Sequence, residues 1–373
     1  MARRIAVCAL IPDTGHVTPL LLLARHLAAR GDHVCAFLPD EGQRVSERFG
    51  VRVETFGTVN APNQARLIDR AASVSRWAHQ VYWARWFTDE YMAPVKVRAT
   101  RLVPELVSRL RQYDPELLIT DDHIFEPEYR WLAGQLGIPL LLNHCFGTNC
   151  AAQPRKFWLN VDVKRATRIG DWVRSVEYTF DKRLRPERWH RIRDDRRQVE
   201  QFRAARASDP APPRVERLSM GLSALEIERL GDRIVSAGGV HRLMAPTPQL
   251  VGTMEPALAE WLGAAEPRSV LYVASGTMAR MPVGVLRSIT RDALRAGLRV
   301  LVADGGGRFA WRGDPRRVLV QRWVPQTAVL AHPSIATFVT HAGANSVQEA
   351  LWNGLPILCR PLMSDQHYNA WVA

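Results

Sequence analysis

The chain has 373 residues, 47% of them hydrophobic, which is enough for two cores of ordinary size. No stretch approaches the roughly 18 apolar residues of a membrane span, and the apolar start is too short and Pro-broken for a secretory leader, so a cytoplasmic protein is expected. Fifty basic against 37 acidic residues leave a net charge of +13, and the five cysteines (Cys8, Cys35, Cys145, Cys150, Cys359) are scattered without metal-ligand spacing, which predicts reduced thiols and no metal site.

From the N-terminus, RIAVCALIP reads as an apolar strand closed by Pro12, and Leu20, Leu23, Ala24 and Leu27 then recur at helical spacing up to Gly31. HVCAFLP reads as a second strand. Strand, loop, helix, strand is the opening of a parallel Rossmann-like sheet, with His16 in the first strand-to-helix loop, at the edge where such sheets place ligands. That loop has no G-x-G-x-x-G, so this half is a poor dinucleotide binder. Further on, SRWAHQVYWARWFTDEYMAP (75–94) would place Trp83, Trp86 and Phe87 on one helix face, as core or as the lining of a cleft. PELLITDDHIFEP is a later strand ending on the acids Asp121 and Asp122.

Residues 155–217 hold 18 Lys or Arg against 10 Asp or Glu, and Asp194-Asp195 interrupts the run. This pattern predicts exposed helices of mixed charge; a weak contact with an anionic membrane surface is the alternative, and no nucleic-acid partner is expected. HRLMAPTPQLVGTMEP, with Pro246, Pro248 and Pro256, is the best linker. It divides the chain into an N-terminal domain, 1–250, and a C-terminal domain, 251–373.

The second domain opens on SVLYVASGTMARMP, a buried-type strand running into a Ser-Gly-Thr loop. Its most informative stretch is WVPQTAVLAHPSIATFVTHAGANSVQEALWNGLPILCRPLMSDQ, residues 323–366. Here an apolar strand, IATFVT, meets a small-residue turn at 341–346 and a helix expected from about Ser346 to Asn353, stopped by Gly354 and Pro356. A helix N-terminus behind Gly343 offers free N–H groups to a diphosphate without a Lys clamp.

The 44-residue stretch resembles, in register, the signature box of the family-one UDP-glycosyltransferases. That resemblance implies a GT-B architecture, two Rossmann-like domains facing across a cleft, with the first as acceptor domain. It implies that Trp323 stacks on uracil, that Val324 and Gln326 lie beside it, and that Glu349 accepts hydrogen bonds from two ribose hydroxyls. His341, Gly343, Asn345 and Ser346 would hold the diphosphate, Asp365 and Gln366 the sugar hydroxyls, and Thr277 of the Ser-Gly-Thr loop the phosphate side. Ala344 stands where plant members carry Trp, which leaves the choice of sugar open. Gly15-His16 matches the family's base loop and Asp121 its carboxylate partner, with Asp122 as rival. Imidazole suits that task, since its unperturbed pKa of about 6.5 lets it take a hydroxyl proton at neutral pH.

The implied reaction is an inverting transfer of a hexose, glucose first, from a UDP-sugar to a hydroxyl of a hydrophobic acceptor, with neither cofactor nor metal. A UDP-N-acetylglucosamine epimerase-like enzyme and a non-catalytic basic binding protein are the rival readings. HYNAWVA at 367–373 reads as the start of a helix, whereas members of the family continue through further helices, so a truncated C-terminal domain is expected.

Overall fold

Seven consecutive residues from Ile5 to Ile11 are almost wholly buried, and so are Val34 to Leu38. Apolar runs of this length without alternation belong in strands covered on both faces. The computed structural model describes residues 2–47, 49–59, 91–121, 125–144, 186–219, 254–274, 276, 280–362, 366, 369–370 and 373, and it places these runs at the centre of a parallel sheet. The chain divides into two compact units, whose described parts are 2–219 and 254–373. The linker proposed near residue 250 lies outside the described residues.

Unit 1 runs β1 (Arg4–Cys8), α1 (Thr14–Ala29), β2 (His33–Leu38), β3 (Arg52–Thr55), α2 (Ala93–Tyr113), β4 (Leu117–Asp121), α3 (Glu126–Leu136), β5 (Leu140–His144), α4 (Pro186–Ala204) and β6 (Val215–Ser219). Its sheet order is β3-β2-β1-β4-β5-β6, every pair parallel. Strand order reverses between β1 and β4, the switch point at which the loops after two neighbouring strands diverge.

Unit 2 runs α5 (Pro256–Gly263), β7 (Val270–Ala274), α6 (Val283–Arg295), β8 (Arg299–Ala303), β9 (Val318–Gln321), α7 (Gln326–Leu330), β10 (Ile335–Thr340), α8 (Ala344–Trp352) and β11 (Ile357–Cys359). The order β11-β10-β7-β8-β9 is again all parallel, with its switch point between β7 and β10. Its core packs Leu258, Leu262, Tyr272, Leu301, Val329 and Phe338, with the Tyr272 and Phe338 rings stacked at 4.8 Å. Two sequence readings shift slightly. His16 is in the first turn of α1 rather than in a loop, because α1 already begins at Thr14. The α8 helix starts at Ala344, two residues before its expected start.

The described part of the basic segment behaves as a solvated helix. Among the described residues of α4 only Ile192 and Val199, seven residues apart, are core residues, and most of the others face water. Residues 155–185 are outside the described set, as are Trp83, Trp86 and Phe87. The helix is anchored by Arg203, whose Nε and Nη2 donate to both oxygens of Glu128 on α3 at 2.8 and 3.0 Å. The Glu128 carboxylate has no solvent exposure. Removing the guanidinium leaves a buried charge without its partner, whereas the pair itself contributes far less. Arg203→Met is therefore expected to destabilise unit 1 by about 2–4 kcal/mol, after discounting for the exposed third of Arg203. A urea titration of variant and wild type checks this, and Glu128→Gln added to Arg203→Met should recover much of the loss.

Candidate active site

The first cluster forms at the switch point of unit 1. α1 leaves β1 through Pro12 and Asp13, and its first turn brings His16 over the end of β4. The His16 Nδ1 lies 2.8 Å from Asp121 Oδ2, and the Asp121 side chain is fully buried. The other oxygen, Oδ1, accepts from the Tyr129 hydroxyl on α3, whose own oxygen accepts from the Leu10 N–H at 2.8 Å. Burial, followed by the Asp121 charge, pushes the Tyr129 hydroxyl well above its usual range, so it stays protonated. The rival acid, Asp122, lies outside the described residues.

Asp13 precedes α1 at the position where an Asp side chain usually caps the helix, yet it makes no capping bond. Its Oδ1 instead accepts from the Tyr91 hydroxyl at 2.6 Å. Burial raises the Asp13 carboxyl above the usual range, and the Tyr91 bond and His16 oppose that rise.

The second cluster forms at the switch point of unit 2. After β10 the chain turns through Ala342 in the left-handed region (φ 66°), a conformation that costs a non-glycine residue roughly 1 kcal/mol. The turn is pinned at both ends. The Ala342 N–H donates to Thr340 Oγ1 at 3.2 Å, and Asn369 Nδ2 donates to the Ala342 carbonyl at 3.0 Å. This strain sets the His341 ring between two glycines. A Cβ on Gly276 would come within 2.5 Å of the ring, and one on Gly343 within 2.6 Å of Nε2. Gly276 also needs φ +81°, so glycine is required there twice over. Among the described residues, the buried His341 Nδ1 has no hydrogen-bond partner. Burial lowers this imidazole to about 4, which keeps it neutral near pH 7.

Behind the turn, α8 begins with no side-chain cap, and Asn345 and Ser346 sit in its first turn. Glu349, one turn further on, receives Gln326 Nε2 on Oε2 at 2.7 Å. The same amide lies 3.1 Å from Ser346 Oγ, while Gln326 Oε1 accepts from the Tyr272 hydroxyl at 3.3 Å. The side chain expected beside the base thus ties the helix to β7 and orients the acid. Burial raises Glu349 to about 7, against a smaller lowering from Gln326. Trp323 is 54% exposed, an open flat ring beside the buried Val324. Gln366 is buried and accepts the Leu362 N–H through Oε1 at 2.9 Å, so that oxygen is already engaged. Thr277 and Asp365 lie outside the described residues.

The structure thus brings His16 to Asp121 in one unit, and Gln326, Ser346 and Glu349 together in the other, with His341 against Gly343. Sequence reasoning missed Tyr129, the Leu10 N–H, the Tyr91–Asp13 pair and Tyr272. Each has its role only where the chain crosses another element, and no local pattern marks it.

The family described as UDP-glucoronosyl and UDP-glucosyl transferase matches residues 299–372. UDP-glycosyltransferase 76E4 of Arabidopsis thaliana is 32% identical over 165 residues, 41% of this chain and 36% of that protein. An anthocyanidin 3-O-glucosyltransferase of Zea mays is 41% identical over 127 residues, 30% of this chain and 25% of that protein. The chain therefore spans about a third or less of the length of these relatives. Among solved structures, the glycosyltransferase SnogD from Streptomyces nogalater aligns with a TM-score of 0.60 and 17% identity, covering 99% of this chain and 86% of its own. Os79 from O. sativa, in complex with U2F and trichothecene, aligns at 0.63 and 20%, covering 99% and 83%. At these identities the likeness is one of fold, and that fold is GT-B.

The Glu349 environment has a measurable consequence. Its folded value, about 7, stands above the ordinary 4.5, so the cost of ionising it is absent in acid and grows as pH rises between those values. Glu349→Gln, which keeps the shape without the charge, is expected to match wild type near pH 4. At pH 8 it should be more stable by on the order of 1–3 kcal/mol. Chemical denaturation at the two pH values reads the difference directly.

Proposed function

We propose that this chain, a GT-B protein carrying a family-one UDP-glycosyltransferase domain, moves a hexose, glucose first, from a UDP-sugar to a hydroxyl of a hydrophobic small molecule. One observation carries the reading: a histidine paired with a buried carboxylate sits at the switch point of unit 1, while the family match covers Gln326, His341, Ser346 and Glu349 of unit 2. The relatives point the same way, since one is named a flavonol 3-O-glucosyltransferase and one structure holds UDP-2fluoro-glucose with pterostilbene.

In the proposed reaction the Asp121 carboxylate holds the Nδ1 proton of His16, leaving the Nε2 lone pair to take the proton of the acceptor hydroxyl. The acceptor oxygen attacks the anomeric carbon from the face opposite UDP, the bond to the diphosphate breaks, and the configuration inverts. The N–H groups of α8 and the neutral His341 imidazole, whose buried Nδ1 has no hydrogen-bond partner among the described residues, would take up the charge on the leaving diphosphate. No metal is invoked. Trp323 would carry the uracil and Glu349 the ribose. We place the reaction in the cytoplasm, in keeping with the free thiols of Cys8 and Cys35. The epimerase reading is weaker because it gives the His16–Asp121 pair no acceptor to deprotonate.

Two experiments test this. UDP-glucose offered with a mixed aglycone panel and read by mass spectrometry should yield hexosylated products. His16→Ala should then cut turnover by roughly 10²- to 10⁴-fold with UDP affinity nearly unchanged, and Asp121→Asn should lose a similar factor. Turnover retained by His16→Ala removes it as the base. Calorimetry with UDP and dTDP tests the ribose assignment. A charged hydrogen bond lost with the 2′-hydroxyl is worth on the order of 1.5–3 kcal/mol, so wild type should prefer UDP by at least about tenfold. Glu349→Ala should erase most of that preference, and equal affinity of wild type for both would sink the assignment.

A further inference from the structure

Asp121 accepts on both oxygens, from His16 on one side and from Tyr129 on the other. The direction of the second bond is forced. The Tyr129 oxygen already receives the Leu10 N–H, which is a donor and nothing else, so the only hydroxyl proton must point at Asp121 Oδ1. Both hydroxyl roles are used, and the ring is fully buried. A donor–donor clash would follow if that carboxyl oxygen carried a proton. With Oδ1 held as an acceptor by Tyr129, an ionised Asp121 turns Oδ2 to His16 as an acceptor too, which places the proton on Nδ1 and the lone pair on Nε2.

We propose that Tyr129 is a positioning residue of the transfer reaction, setting the tautomer and the proton affinity of His16 through Asp121. The proposal rests on the reading of His16 as the base. By drawing charge toward itself, the hydroxyl weakens the hold of Asp121 on a protonated imidazole, so that His16 releases its proton more readily after each turnover. Among the described residues, further groups face the pair. Asp13 faces His16 and Asp121 from the start of α1 and itself meets Tyr91 and Glu41, while the Cys8 thiol on β1 faces Asp121 and is held protonated by burial, then by that same carboxylate.

The test is Tyr129→Phe, which removes one oxygen and keeps the ring. The His16 imidazole, followed by NMR in labelled protein, should titrate at a midpoint higher than in wild type by at least about half a unit. The acid limb of kcat/KM should move up with it, kcat should fall roughly 3- to 30-fold, and KM for UDP-glucose should stay within about twofold. In an Asp121→Asn background the same substitution should cost almost nothing further, whereas a purely structural role would cost the same in both. A folded variant whose His16 midpoint is unmoved or lowered overturns the proposal. If Tyr129→Phe does not fold, 3-fluorotyrosine at position 129 supplies a more acidic donor of nearly the same shape. It should lower the midpoint, and no change there overturns the proposal equally. His16→Ala in the same turnover assay separates the two ideas. Retained turnover removes the base reading, while the NMR midpoint still reports the coupling through Asp121.

Discussion

All-parallel pairing is the constraint on which everything else here depends. In such a sheet every strand ends at the same edge, and each connection must cross back over one face or the other. Where the strand order reverses, consecutive connections go to opposite faces and leave an opening between two strand ends. Unit 1 reverses between β1 and β4, and unit 2 between β7 and β10. His16 follows β1 and Asp121 ends β4; Gly276 follows β7 and His341 follows β10. Both clusters are products of the same topological event, built with different side chains.

The two openings treat buried polarity differently. In unit 1 the fully buried Asp121 carboxylate receives two donors, one of them the hydroxyl of a residue that is itself held by a backbone N–H. A carboxylate so furnished can stay charged in an apolar setting, because hydrogen bonds offset the lost hydration. In unit 2 Glu349 receives the Gln326 amide, and burial still raises it toward neutrality, while the buried Nδ1 of His341 has no hydrogen-bond partner among the described residues. Unit 2 holds a neutral imidazole and a carboxyl raised to about 7 close to an uncapped helix start, whose N–H groups favour negative charge.

Backbone strain is placed to match. The turn from β10 to α8 puts a non-glycine residue, Ala342, in the left-handed region, and Thr340 and Asn369 pin it there. That conformation is what threads the His341 ring between Gly276 and Gly343, positions where any Cβ would collide with it. Small residues in this turn are therefore demanded by the imidazole as well as by whatever approaches the helix.

Much of this was legible in one dimension. Parallel strands announce themselves as unbroken apolar runs such as RIAVCALIP and IATFVT, and helices by apolar spacing with Gly or Pro stops, because both patterns follow from local geometry and burial alone. The ordered set of Trp323, His341, Gly343, Ser346, Glu349 and Gln366 was visible as a resemblance to one family's signature box, because that box occupies one short span of chain. Contacts across long separations were not. The partner of His16 lies 105 residues away, and only the family resemblance, not any local pattern, favoured Asp121 over its neighbour Asp122. Tyr129 lies on an apolar helix face with nothing local to mark it, and Gln326 turned out to orient Glu349, a partner 23 residues on. A lone sequence carries propensity, and propensity acts over a few residues. Hydrogen-bond partners and proton affinities are set by neighbours in space, which exist only once β1 lies beside β4 and β7 beside β10.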